Sequence, residues 1–234
     1  MTDRFEIQIT HPSGGGQAAL SVQMQSAHTQ TGSVTGDQEK LVIMMPGWGA
    51  DASDLASLAP YLAPQLNQCH FIFPDAPYPC AANPFGREWF ALDAADLRAA
   101  RIEQNAADAR WIVHQMLDAL ISRFSCRADQ IILGGFSQGG MMALGAGLSY
   151  AEQLGGVFCL SGALLGTPEA APPSPTAIFL AHGADDMVVA PSLFHETEQV
   201  LRDAGYHPHA HLLTDLAHGI DEAVLTQLVA FLKS

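Results

Sequence analysis

The run Gly135-Phe136-Ser137-Gln138-Gly139 constrains this chain more tightly than any other stretch. An apolar segment, Gln130 to Gly134, leads into this G-x-S-x-G pattern, and Gly140-Met141-Met142-Ala143-Leu144 follows it with helical character. A strand that becomes a helix within about one residue holds the intervening serine in a strained conformation, with room only for small residues two positions to either side. Gly135 and Gly139 meet that demand. The strain lifts the hydroxyl clear of the sheet, and the dipole of the following helix points its positive end at charge that develops there. Two plainer readings compete. A phosphate loop would carry a Lys-Ser/Thr ending or G-x-G-x-x-G spacing, and this run has neither. A tight turn with an idle serine is the other, and the surrounding strand, helix and downstream partners weigh against it.

The rest of the chain supplies an α/β frame for that turn. Phe5, Ile7 and Ile9, then Leu20, Val22 and Met24, alternate with polar residues, which predicts two half-exposed antiparallel strands joined by a turn at Pro12 to Gly16. A polar link from Ser26 to Glu39 leads to Leu41-Val-Ile-Met-Met45, an unbroken apolar run of the kind buried on both faces of a sheet. Leu55, Leu58, Leu62 and Leu66 have helical spacing, but Pro60 and Pro64 predict a short or broken helix. Cys69 to Phe73 reads as a strand. Pro74 to Arg87, rich in proline, reads as a long irregular wall or lid. A crossover helix from Asp96 to Phe124 delivers the chain to the strand before Ser137. Gly156 to Leu160 and Ala177 to Ala181 suit parallel central strands. A polar helix at about Leu193 to Asp203, a strand near His207 to Leu213 and a closing helix through Val224, Leu228 and Leu232 complete the pattern. One domain spanning residues 1–234 is expected.

A serine hydroxyl needs a histidine to take its proton and a carboxylate to orient that histidine. In a parallel α/β sheet such groups gather in loops beyond the carboxyl ends of strands. With this type of turn the chain order runs serine, acid, histidine. The acid should therefore follow the strand ending at Ala181, where Asp185 and Asp186 stand side by side, and their positions alone do not choose between them. His218, in Leu216-Ala-His-Gly-Ile220, occupies the loop after the last strand. Other histidines read as structural: His182 as a turn residue at a strand end, and His195 as part of an exposed helix face. His207, His209 and His211 share one strand face, a spacing that can chelate metal. No cysteine or carboxylate pattern joins them, and the expectation is no metal and no cofactor.

Composition narrows the partners. With 24 acidic against 10 basic residues the net charge is -14, which disfavours nucleic acid and anionic membrane surfaces. Cys69, Cys80, Cys126 and Cys159 are irregularly spaced, with no C-x-x-C pair, so reduced, mostly buried thiols are expected. The opening residues lack a signal-peptide pattern and no apolar run reaches membrane-spanning length, which predicts a cytoplasmic protein without stable membrane insertion.

These pieces together resemble the carboxylesterase/phospholipase family of α/β-hydrolases, which includes the acyl-protein thioesterases. The resemblance rests on Gly135-Phe-Ser-Gln-Gly-Gly140, His182-Gly-Ala-Asp-Asp-Met-Val-Val189, Ala217-His218-Gly219, Pro46-Gly-Trp-Gly-Ala-Asp51 and Phe73-Pro-Asp-Ala-Pro77. Pro84 to Phe90 is also similar to small bacterial esterases of the family. It implies an α/β-hydrolase fold, a mostly parallel central sheet with helices on both faces, and a Ser137-His218-Asp186 triad, the H-G-x-x-D spacing selecting Asp186. It further implies an oxyanion hole from the backbone N–H groups of Gln138 and Trp48. The chain departs from the family pattern at Pro46, where histidine is usual, at Ala190, where proline is common, and at Trp48, bulkier than the usual leucine. An apolar pocket including Trp48, Met142, Leu165 and Trp89 is expected. The activity implied is hydrolysis of carboxylic esters, with thioester or lysophospholipid cleavage as the alternative. A non-catalytic binding protein of the same fold is the rival from another class. The expected partners are a small or lipid-like ester and, at most, a second copy of the chain.

Overall fold

In the computed structural model, residues 2–10, 17–26, 34, 36, 38–92 and 99–234 are described. The turn expected at Pro12 to Gly16, most of the link to Glu39 and the first residues of the helix expected from Asp96 lie outside them. The strands are β1 (Thr2–Thr10), β2 (Gln17–Ser26), β3 (Lys40–Met45), β4 (Cys69–Pro74), β5 (Tyr78–Cys80), β6 (Asn83–Glu88), β7 (Ile131–Phe136), β8 (Gly156–Leu160), β9 (Ile178–Gly183) and β10 (His209–Leu213). The helices are α1 (Ala52–Ala56), α2 (Ala59–Leu62), α3 (Ala99–Phe124), α4 (Gln138–Leu148), α5 (Pro191–Asp203) and α6 (Glu222–Lys233).

Eight strands form one sheet in the order β1-β2-β4-β3-β7-β8-β9-β10. β1 and β2 pair antiparallel and β2 joins β4 antiparallel, while every pair from β4 to β10 is parallel. The unbroken apolar run of β3 has the cause expected of it. Leu41, Ile43 and Met45 pack toward α3 and α4, whereas Val42 and Met44 pack toward α1, α2 and α6. Both faces are covered, so each strand residue is buried whichever way it points. The proline-interrupted segment splits into α1, α2 and a 3₁₀ turn at Ala63–Gln65, since Pro60 and Pro64 are each accepted in the first turn of a new helical piece.

Two expectations need correction. Residues 74–90 are not an irregular lid: β5 and β6 pair antiparallel as a separate two-stranded hairpin. His182 is not a turn residue but lies inside β9, buried. On the edge strand β10, His211 packs on Phe179 with ring centroids 5.3 Å apart and His209 on Phe231 at 6.3 Å. Two rings of that alternating pattern thus lie against aromatic core residues, while His207 stands exposed ahead of β10. All four cysteines are free and buried. Among the described residues no helix is long and apolar enough to cross a membrane.

Candidate active site

Ser137 stands between β7 and α4 with φ 53° and ψ −120°, a region that side-chain-bearing residues rarely occupy and that costs on the order of 1–3 kcal/mol. Neighbouring backbone holds it there: its N–H donates to Leu160 O at 2.8 Å, and Met141 N donates to its carbonyl at 3.0 Å. The flanking glycines are required by close backbone approach. A Cβ at Gly135 would lie 2.5 Å from Met45 O, and one at Gly139 would lie 2.1 Å from the same oxygen. The elbow is therefore pressed against the end of β3. Cys159 packs beneath it, and burial pushes that thiol up to about 12, which keeps it from competing as a thiolate.

Asp186 and His218 meet across two loops. His218 Nδ1 lies 2.7 Å from Asp186 Oδ2, and the imidazole ring lies 4.8 Å from the ring of Phe136, the residue before the serine. Among the described residues the Ser137 hydroxyl makes no hydrogen bond, so the structure joins His218 to Asp186 but not to the serine. Asp186 is buried and its Oδ1 accepts N–H bonds from Val188 at 2.8 Å and Val189 at 2.9 Å. Burial raises its pKa, but the hydrogen bonds from His218, Val189 and Val188 outweigh it and hold the carboxyl below its ordinary value. Asp185 is exposed, and its backbone N–H donates to Leu216 O at 3.0 Å. Of the adjacent pair, Asp186 is the one that faces the histidine.

The loop after β3 supplies the second wall. A Cβ on Gly47 would sit 3.3 Å from that of Ser137, so this turn lies directly against the serine. Gln138 is the first residue of α4, where N–H groups have no acceptor within the helix. The Trp48 N–H makes no hydrogen bond among the described residues. Both donors are thus free for an oxyanion. The hairpin braces the loop: Gly49 N donates to Arg87 O at 2.8 Å, Asn83 Nδ2 to Gly49 O at 2.8 Å, and Trp48 Nε1 to the buried Glu88 at 2.7 Å. Trp89 Nε1 donates to Pro46 O at 3.0 Å, a bond the backbone carbonyl makes whatever side chain stands at 46. The Gln138 side chain accepts from Trp89 N at 2.9 Å and donates to Phe90 O at 2.7 Å. Pro191 takes the first turn of α5, so Ala190 costs nothing there.

A cleft of about 450 Å³ opens beside His218, walled by Trp48, Leu55, Leu58, Phe136 and Ile220. Trp48 is 37 % exposed and lines this cleft. The other expected pocket residues are elsewhere. Met142 is buried in the core, because on α4 it faces the sheet; Trp89 is fully buried as a brace. Leu165 lines a separate cavity of about 190 Å³ with Arg110 and Leu144. Sequence reasoning missed Glu88 and the contacts of His182. Neither carries a local signal: Glu88 meets Trp48 only through tertiary packing, and His182 meets Val189 and Asp186 through a turn whose shape the sequence does not spell out.

Comparison with known proteins agrees with this geometry. Residues 27–234 match the family model described as Phospholipase/Carboxylesterase. The chain is 35% identical over 159 residues to acyl-protein thioesterase 1 of Neurospora crassa, covering 61% of this chain and 64% of that protein. It is 31% identical over 216 residues to acyl-protein thioesterase 1 of Emericella nidulans, covering 82% and 88%. The crystal structure of esterase PE8 superposes with a TM-score of 0.81 at 31% identity, covering 90% of this chain and 96% of that one. The sheet order, the serine elbow and these matches converge: the chain belongs to the phospholipase/carboxylesterase family of α/β-hydrolases.

Proposed function

We propose that this chain is a serine esterase that hydrolyses carboxylic esters, thioesters included, through an acyl-enzyme. The observation that carries the reading is the 2.7 Å contact of the buried Asp186 carboxylate with His218 Nδ1. A carboxylate on that nitrogen fixes the tautomer with the proton on Nδ1, and leaves Nε2 as the basic nitrogen next to the elbow. Ser137 Oγ then attacks the acyl carbon while His218 Nε2 takes its proton. The carbonyl oxygen gains charge and is held by the N–H groups of Trp48 and Gln138 at the positive end of α4. As the tetrahedral intermediate collapses, the C–O or C–S bond to the leaving group breaks, and His218 returns the proton to the departing alkoxide or thiolate. Water, deprotonated by His218, attacks the acyl-Ser137 ester, and release of the acid restores the serine. The same steps serve esters and thioesters, and relatives named acyl-protein thioesterase favour testing both.

The cleft is walled mainly by apolar side chains and carries the acidic Asp54, which suits a substrate of small or lipid-like kind without negative charge, and Trp48 limits its length. Steady-state hydrolysis of a short p-nitrophenyl ester tests the reading. Ser137→Ala and His218→Ala should each lower kcat on the order of 10⁶-fold. Turnover near that of the wild type in either variant would refute the assignment.

A further inference from the structure

The carboxylate that orients His218 has a second imidazole against it. His182, 1% exposed inside β9, places Nε2 2.9 Å from Val189 O and 3.3 Å from Asp186 Oδ2, the oxygen that also meets His218. Both neighbours of that nitrogen are acceptors, so Nε2 must carry the proton. Nδ1 is then a bare lone pair, and it is buried without a hydrogen-bond partner. Adding a proton there would create a buried donor with no acceptor.

That orphaned nitrogen needs a reason. An apolar ring would fill the same space beside Phe194, whose centroid is 5.7 Å away, without leaving a buried polar atom unsatisfied. What an apolar ring lacks is the Nε2 proton. With it, Nε2–H donates to Val189 O and stands 3.3 Å from Asp186 Oδ2 as a polar contact, beside the three hydrogen bonds that Asp186 accepts from Val188 N, Val189 N and His218 Nδ1. The shared Val189 matters as well, since its N–H and its carbonyl bind Asp186 and His182 respectively.

We propose that His182 is a positioning residue for the reaction, its Nε2–H anchoring Val189 O and facing Asp186 Oδ2 so that the carboxylate is fixed in the plane that orients His218. This rests on the reading of Asp186 and His218 given above. The bond to Val189 O closes the 186–189 turn from one side while the Val188 and Val189 N–H groups close it from the other. Without it, Asp186 keeps its charge and its bond to His218 but can swing about the Cβ–carboxyl bond. The imidazole would follow, and a misplacement of about 1 Å at the reacting nitrogen costs up to about 100-fold in rate.

His182→Phe keeps the ring and removes the donor; His182→Gln returns a donor. On a short ester, His182→Phe should lower kcat by about 10- to 100-fold with KM within about twofold, His182→Gln should recover most of the loss, and the downfield His218 Nδ1 proton resonance should shift only in the Phe variant. Unchanged kcat and resonance in a folded His182→Phe protein would overturn the proposal. Nitrogen-15 correlation spectra of the wild type test it without any variant. His182 should show the Nε2–H tautomer, and an Nδ1–H tautomer would overturn it. Ser137→Ala assayed in parallel separates the two claims: if it stays active the esterase reading fails, whereas an inactive Ser137→Ala beside a fully active His182→Phe fails only the positioning role.

Discussion

Adding a single methyl at Gly139 should disable the site by a route that can be worked out from distances. A Cβ there would stand 2.1 Å from Met45 O and 2.5 Å from Pro46 O, both backbone atoms that cannot rotate away. Real Cβ contacts essentially never fall below 3.0 Å, so α4 and the end of β3 must separate by about 1 Å. Overpacking of this kind costs roughly 1–3 kcal/mol. The atoms that move are the supports of Gln138 N and of the loop bearing Trp48 N, the two donors proposed above for the oxyanion. A displacement of about 1 Å at such a site costs roughly 10²-fold in rate. Gly139→Ala should therefore lower kcat on a short ester by about 10²-fold while urea unfolding reports a loss of about 1–3 kcal/mol. Gly145→Ala on the same helix is the control. Its added methyl meets only the flexible Arg110 side chain, at 3.2 Å, and should leave kcat unchanged and stability equal or higher by up to about 1 kcal/mol. A kcat for Gly139→Ala within about threefold of the wild type would refute the reasoning.

Replacing Asp186 by Asn should lower kcat by about 10⁴-fold through the wrong histidine tautomer, whereas Asp185→Asn should have little effect; steady-state kinetics giving the reverse order would move the acid to Asp185. Hydrogen bonds hold the Asp186 carboxyl below its ordinary value, so it contributes stability above the unfolded-state pKa and loses it as pH falls through the folded one. Urea unfolding should show the gap between wild type and Asp186→Asn largest near neutrality and narrowing in acid, and a gap that widened in acid would contradict the sign. Trp48→Leu should move the optimum of a p-nitrophenyl ester series toward longer acyl chains, with kcat on short esters within about tenfold, because the hydrogen bonds at Gly49 and Pro46 still hold the loop. Equal loss at every chain length would mean that the Trp48–Glu88 bond positions the loop instead of bounding the cleft.

The parts of this protein that follow from one residue and its near neighbours were legible in the sequence. Gly135 and Gly139 announced a backbone approach that no Cβ survives, and Leu41 to Met45 announced a strand covered on both faces. The chain order placed an acid after β9 and His218 after β10 because parallel strands gather their following loops at one edge. What could not be read depended on direction or distance across the fold. Met141 and Met142 are adjacent on a helix apolar on most sides, so only the packed structure shows that Met142 turns to the core. Asp185 and Asp186 differ in burial, which pattern alone does not reveal. The β5–β6 hairpin hid behind its prolines, since two such short strands leave little alternation to detect. The neighbours of Glu88 and His182 are brought to them by tertiary contacts, or by a turn whose shape the sequence does not spell out.

Covalent labelling tests the central claim most directly. Wild-type protein treated with a fluorophosphonate probe should carry one adduct, mapped by peptide mass spectrometry to Ser137, with Ser137→Ala unlabelled and His218→Ala labelled far more slowly. An adduct on another residue, or equal labelling of Ser137→Ala, would contradict the account.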